Sequence, residues 1–212
     1  QVPIMLVVAM VLACILNKKD LRFKGFFRTM IFLPCTTSLV AYSIIFRSLF
    51  ANDGLVNYVL VNLGILDKPY NFLTQPFAAK IVIILALLWR WTGYNMVFFL
   101  SGLQNIEYSV YEAAKIDGAG FWRTTFSVTL PMLKGTTNVL IILGIVGSLK
   151  TFDIVKLLTG GGPGRSTTVM NTYLYEKAFK DFNAGGAASI GVAILIIAMV
   201  MSFLQVKFGK ED

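Results

Sequence analysis

Long apolar runs broken by short polar islands set the pattern of this chain. Val2 to Leu16 is an apolar run of fifteen residues, short of the ~20 needed to cross a bilayer. Because the chain starts inside it, the run reads as the inner-leaflet part of a helix, and at least one more span is expected upstream. It has no polar face, which disfavours an interfacial segment. It has neither a basic leading region nor a small-residue cleavage site, which excludes a signal peptide. Thr29–Phe50, Phe77–Ser101, Ser127–Leu149 and Gly185–Val206 predict complete spans. Pro34 and Pro131 fall in the opening turns of two of these, where proline costs least. Asn52-Asp53-Gly54 is a turn signal, and the apolar stretch Leu55–Ile65 behind it predicts a helix on the outer surface. The expectation is one all-α membrane domain over residues 1–212, truncated at its N-terminus, with about five spans, the first partial.

The basic residues give the topology. Lys18, Lys19, Arg22, Lys24 and Arg28 stand against Asp20 alone in the segment Asn17–Arg28, a strong mark of the cytoplasmic side. Residues 17–28 are then inside, 51–76 outside, 102–126 inside and 150–184 outside. The tail with Lys207 and Lys210 is inside. Lys150, Lys156, Arg165, Lys177 and Lys180 run against the rule in the second outer loop, and the first loop and span parity outvote them. The composition agrees: 56% of residues are hydrophobic and 14% charged, where a soluble domain carries ~25% charged. The surplus of nineteen basic over eleven acidic residues is therefore a topology signal and not a nucleic-acid footprint. With no histidine, imidazole metal sites, triads and proton relays are excluded. Cys14 and Cys35 both lie in apolar runs and predict neither a disulfide nor a metal site.

Four features carry candidate chemistry. The first is the charge-balanced island Tyr111-Glu112-Ala113-Ala114-Lys115-Ile116-Asp117-Gly118. Ser109-x-x-Glu112 has capping-box spacing and predicts a helix start at Ser109; Gly118 is the natural stop. Nine residues from Ser109 to Asp117 make a stub of roughly 13 Å, too short to span and marginal alone. It is either a connector on the membrane face or a docking helix for a cytoplasmic partner. The second is Trp89-Arg90-Trp91-Thr92-Gly93-Tyr94-Asn95 at the centre of a span. An arginine there faces a cavity or a partner: it lines a substrate path, or it pairs with a carboxylate or backbone carbonyls. The third is Gly144, Ser148 and Thr151, one helical face by spacing, suited to close helix packing or to hydroxyl contacts along a substrate path. The rows Gly185/Ser189/Ala193 and Ala187/Gly191 also suit close packing. The fourth is Gly160-Gly161-Gly162-Pro163-Gly164-Arg165-Ser166. It lacks the spacing, lysine and preceding strand of a phosphate loop and predicts a tight turn at the outer mouth.

Glu112-Ala113-Ala114, Gly118 and Val128-x-Leu130-Pro131 resemble the EAA loop of ABC-importer permeases, with Val128 in place of isoleucine. Asp117-Gly118-Ala119, Phe126 and Leu158-Thr159-Gly160-Gly161-Gly162-Pro163 resemble its carbohydrate branch, the maltose and glycerol-phosphate permeases. The resemblance runs from about Phe26 to Phe208. It implies a binding-protein-dependent permease in a bacterial or archaeal plasma membrane, C-terminus cytoplasmic. The loop 109–131 would couple to the ATPase through Glu112, Ala113, Ala114, Asp117, Gly118, Leu130 and Pro131. Glu112 is expected to act partly as cap and partly as contact. The implied partners are a second permease subunit of a different chain, two ATPase subunits, an extracytoplasmic solute-binding protein facing the second outer loop, a sugar-like substrate and membrane lipid. No cofactor is implied on this chain; ATP and Mg sit on the ATPase. Transport would proceed by alternating access. The implied substrate path runs past Arg90, Trp91, Gly93, Tyr94, Met96, Gly144, Ser148 and Thr151. Ser148 and Thr151 stand where the maltose-type member has asparagines, which argues against maltose itself. An integral-membrane lipid or glycosyl transferase would need paired acids or an activated nucleophile, and the acids here are isolated on loops. A channel or scaffold subunit would not need the EAA spacing, and a permease for a non-sugar solute stays open.

Overall fold

The computed structural model describes residues 1–18 and 21–209, without the side chains of 121, 122, 208 and 209. Lys19, Asp20 and Lys210, part of the basic segments above, lie outside the described residues. Twelve α-helices and one π-helical turn are found, and no strand occurs among the described residues. They are α1 (Val2–Asn17), α2 (Lys24–Thr36), α3 (Leu39–Leu49), α4 (Leu55–Asn62), α5 (Pro76–Gln104), α6 (Tyr108–Ile116), α7 (Phe121–Thr124), the π turn Thr125–Thr129, α8 (Leu130–Met132), α9 (Lys134–Leu149), α10 (Asp153–Leu158), α11 (Met170–Phe179) and α12 (Ala184–Gly209).

Two expected spans are not continuous helices. Among the described residues, only Pro76–Gln104 and Ala184–Lys207 are long and apolar enough to cross a membrane unbroken. The expected span Thr29–Phe50 is divided into α2 and α3, and Pro34 stands in the last turn of α2 rather than in a first turn. Proline donates no backbone hydrogen bond and disfavours a continued helix, and the helix ends two residues later, with Ser38 at the N-cap position of α3. The expected span Ser127–Leu149 turns by 61° between α8 and α9. There the Leu130 N–H reaches back to the Thr125 carbonyl, the five-residue step of a π turn, next to Pro131, which has no N–H to offer. Gly185–Val206 lies within α12, and α1 is shorter than a span as expected.

The chain divides into two compact units. The first comprises Gln1–Thr36, Arg90–Ile145 and the chain from Met201. Its helices meet at small residues. At Gly93 of α5 a Cβ would overlap the Ile31 carbonyl oxygen of α2, so the two backbones touch. A Cβ at Gly102 would stand 2.8 Å from the Thr136 hydroxyl and 2.9 Å from Leu133, and one at Gly144 2.8 Å from Val2. α1 buries Met5, Ala9, Ala13 and Leu16, and α5 buries Met96, Phe99, Leu100 and Leu103. Such close contact is the usual source of helix association where lipid leaves no hydrophobic drive between helices.

The second unit comprises Thr37–Trp89 and Val146–Val200. Its core joins Tyr42 and Phe46 of α3, Val82, Ile83 and Ala86 of α5, and Ile154, Val155 and Leu158 of α10. One of the two small-residue rows packs inside it: Ala187 is buried and Gly191 lies against Leu174 of α11, while Gly185, Ser189 and Ala193 face outward. The expected loop helix is present as α4. It is tied down by Asn57, which is 2% exposed, donates to the Ala51 and Tyr70 carbonyls at 3.0 and 2.9 Å, and accepts from the Tyr70 N–H at 2.8 Å. Asn57→Ala removes three bonds and takes the acceptor from the Tyr70 N–H, while the Ala51 and Tyr70 carbonyls keep the Gly54 and Phe72 N–H groups, at a cost of about 1–3 kcal/mol. Protease cleavage within 51–75 is expected to rise by at least tenfold, and unchanged cleavage would show that other contacts hold the loop.

Candidate functional site

The island around Glu112 is a helix whose end is well made and whose start is plain. α6 runs Tyr108–Ile116 with Asp117 as C-cap. Gly118 follows at φ 71°, as the stop signal predicts. Its N–H bonds the Lys115 carbonyl at 3.1 Å and the Ala119 N–H bonds Ala114 at 2.9 Å, the paired bonds of a Schellman turn. Lys115 sits in the last turn, where the helix dipole favours a cation. The expected capping box is absent. The N-cap is Glu107, with no side-chain cap bond, and the Ser109 hydroxyl donates to the Glu107 carboxylate at 3.3 Å instead. An N-cap two residues earlier puts Ser109 inside the helix, so Glu112 does not act as a cap and stands exposed.

Only Ala114 of α6 is buried. Glu112, Ala113, Lys115 and Asp117 are exposed, and Ile116 is 86% exposed. Sequence reasoning did not single out Ile116; its signal is a branched apolar residue in the last turn of a short, charge-balanced helix. Leu130 and Pro131 lie farther on, in α8 behind the π turn. The coupling candidates therefore form two groups, 112–118 on α6 and 130–131 on α8.

The span-centre belt resolves into a packed side and an aromatic side. Arg90, 6% exposed, donates to the Pro34 and Cys35 carbonyls at 3.4 and 3.2 Å, at the end of α2, where carbonyls lack helical partners. Gly93 is the α2 crossing. Asn95 donates to Trp91 O at 2.8 Å and reaches the Met5 sulfur at 3.5 Å, and Met96 is fully buried. Trp91, Tyr94 and Phe98 form a ladder instead, with centroids 5.9 and 4.9 Å apart. Trp91 is 36% exposed. Arg90→Leu is expected to lower recovery of the assembled transporter, since a charged donor bond contributes about 1.5–3 kcal/mol. Normal assembly with lost uptake would put Arg90 on the path instead.

The expected face Gly144, Ser148 and Thr151 is cut short, because α9 ends at Leu149 and Thr151 lies past it, its hydroxyl on the Gly147 carbonyl at 3.3 Å. Gly144 meets Val2, the packing alternative, and Ser148 is exposed. The glycine segment is the expected tight turn. Gly160, Gly161 and Gly164 have positive φ, and the Thr167 hydroxyl donates to the Gly162 carbonyl at 2.7 Å. Behind it, Arg165 and Lys177 lie 5.9 and 5.7 Å from the Tyr173 ring centroid, and Lys156 lies 4.6 Å from that of Tyr175. Lys180 holds the Glu176 carboxyl below its ordinary pKa and Lys177 does the same for Asp181, in each case chiefly through a hydrogen bond. These pairs persist above the usual carboxylate range and are lost as pH falls through the lowered values. No group of three or more His, Cys, Asp or Glu able to hold a metal occurs among the described residues.

Comparison with known proteins agrees with this arrangement. Residues 5–210 match the family described as binding-protein-dependent transport system inner membrane component. The lactose transport system permease protein LacF of Rhizobium radiobacter is 48% identical over 214 aligned positions, covering 100% of this chain and 72% of that protein. The arabinooligosaccharides transport system permease protein AraP of Bacillus subtilis is 33% identical, covering 97% of this chain and 66% of that protein. Among solved structures, the bacterial alginate ABC transporter in complex with an alginate pentasaccharide-bound periplasmic protein superposes with a TM-score of 0.86 at 25% identity. That match covers 97% of this chain and 72% of the other. The chain belongs to the family of binding-protein-dependent transport system inner membrane components, and it is a permease subunit of an ABC importer rather than an enzyme.

Proposed function

We propose that this chain forms half of the path for a disaccharide, short oligosaccharide or related polyol, moved by alternating access. A second permease subunit, of a different sequence, completes the path. Two ATPase subunits bind ATP and Mg and seat α6 and its counterpart. A solute-binding protein delivers substrate to the outer loops, and the C-terminus lies in the cytoplasm. The observation that carries this reading is α6 itself, a nine-residue helix closed by a Schellman turn that leaves Glu112, Ala113, Ile116 and Asp117 without cover. Such a stub is held by another surface. Nucleotide-driven closure of the ATPases would pull it, and α8 and α9 would carry the movement on. The saccharide reading draws on the lactose and arabinooligosaccharide relatives and on the Trp91–Tyr94–Phe98 ladder, since ring faces stack on sugars. Within the path, Trp91 and Tyr94 of the first unit would meet substrate, and Ser148, in the second unit, is a separate candidate contact. Arg90, Gly93, Met96 and Gly144 hold the helices that present them.

The test is uptake into liposomes holding the four-subunit complex, with ATP inside and loaded receptor outside. Accumulation of labelled lactose or another di- or oligosaccharide is expected, dependent on both ATP and receptor. Uptake without either, or a receptor that binds no carbohydrate, would overturn the reading.

A further inference from the structure

A cavity of about 710 Å³ lies beside α6, within the first unit. Its volume falls in the range of small-molecule sites, ~300–1,000 Å³. Asn17 and Lys18 close α1 on one side, and Gln104, the last residue of α5, stands on another. Tyr108 and Tyr111 of α6 and Thr125 of the π turn complete the polar wall, while Cys14 and Leu103 give an apolar floor. Among the described residues, Lys18 is its one charged lining residue. π turns of this kind often mark functional sites.

The position decides the ligand. α1 and α5 both end at this cavity, so it sits where hydrocarbon gives way to headgroups, with the apolar floor toward the hydrocarbon. The neighbouring segment adds Arg22, Lys24 and Arg28 in sequence. A basic juxtamembrane cluster attracts anionic lipid, and basic pockets between spans on the cytoplasmic side take such headgroups. We infer that this cavity seats the phosphate-glycerol headgroup of an anionic phospholipid from the inner leaflet, in contact with the docking helix through Tyr108 and Tyr111. The phosphate would face Lys18 and Thr125, the glycerol hydroxyls Gln104 and Asn17, and the acyl roots Cys14 and Leu103. The inference rests on the cytoplasmic placement of α6 proposed above.

The test is native mass spectrometry of the purified complex titrated with phosphatidylglycerol or phosphatidylcholine, read separately from transport. The wild type should retain phosphatidylglycerol in preference to phosphatidylcholine. Lys18→Gln should weaken that retention about fivefold, as expected for one surface cation, and Lys18→Arg should restore it. Gln104→Ala gives a second variant should Lys18→Gln fail to assemble, and it should also weaken retention. Arg47→Gln, on α3, should change nothing. Equal retention of the two lipids, or retention indifferent to both Lys18→Gln and Gln104→Ala, would overturn the inference. So would soluble glycerol 3-phosphate displacing the lipid at equal concentration, which would make the ligand a free phosphate. Phosphatidylglycerol preference together with failed sugar uptake would leave this site standing and remove only the saccharide reading.

Discussion

Gly93→Ala is expected to be the most damaging single methyl group in this permease. The added carbon would overlap the Ile31 carbonyl oxygen and stand 2.6 Å from its carbon and 3.0 Å from the Phe32 Cα. All three obstacles are backbone, so no side chain can turn aside. α2 and α5 must separate, and overpacking of this kind costs about 1–3 kcal/mol or more. Separation also draws Arg90 away from the Pro34 and Cys35 carbonyls, one turn along the same crossing. The purified complex should melt roughly 5–10 °C lower and yield less assembled permease. Gly147→Ala is the control, because a Cβ there meets nothing within 4 Å, and it should leave melting unchanged. Equal melting of both variants would mean that α2 does not press on α5 at Gly93.

Gly118→Val should separate folding from transport. A Cβ at Gly118 meets nothing within 4 Å, so the cost is conformational alone. Holding a β-branched residue at φ 71° costs on the order of 1–2 kcal/mol. The chain can escape that cost by undoing the bonds to Lys115 and Ala114 and fraying the end of α6. The spans carry their own backbone bonds, so insertion and receptor binding should persist. Receptor-stimulated ATPase activity should fall about five- to thirtyfold, the factor that this strain corresponds to. Gly118→Asn should recover most of it, since asparagine is the other residue that closes such turns. Full stimulation with Gly118→Val would show that coupling does not pass through this turn.

The different fates of these positions show what the sequence makes legible. Gly118 was readable because one local rule governs it: a left-handed stop needs glycine. Ser109 misled because its capping-box spacing is present but unused: the N-cap falls two residues earlier at Glu107, and the Ser109 hydroxyl turns to the Glu107 carboxylate. Arg90 and Gly93 were visible as oddities in a span, but their roles depend on α2, about sixty residues earlier in the chain. The break after Pro34 was hidden for the same reason: proline near a helix end is tolerated or terminal according to what receives the freed carbonyls, and here Arg90 does. The helices α10 and α11 lay in a segment that read as loop. They are too short to be stable alone, and α10 forms because Ile154, Val155 and Leu158 fill the core against α3 and α5.

The claim on which the account turns is that α6 seats on the ATPase through its exposed side. The direct measurement is photo-cross-linking from single cysteines in a complex whose Cys14 and Cys35 are replaced by serine, each carrying a benzophenone probe. Ala113→Cys, on the exposed side of α6, should give a permease–ATPase adduct, and Asn62→Cys at the end of α4 should give none. Ala114→Cys, at a position 8% exposed, should react poorly with the probe and give little adduct. Absence of an adduct from Ala113→Cys in an assembled, ATP-hydrolysing complex, or an equal adduct from Asn62→Cys, would contradict the account.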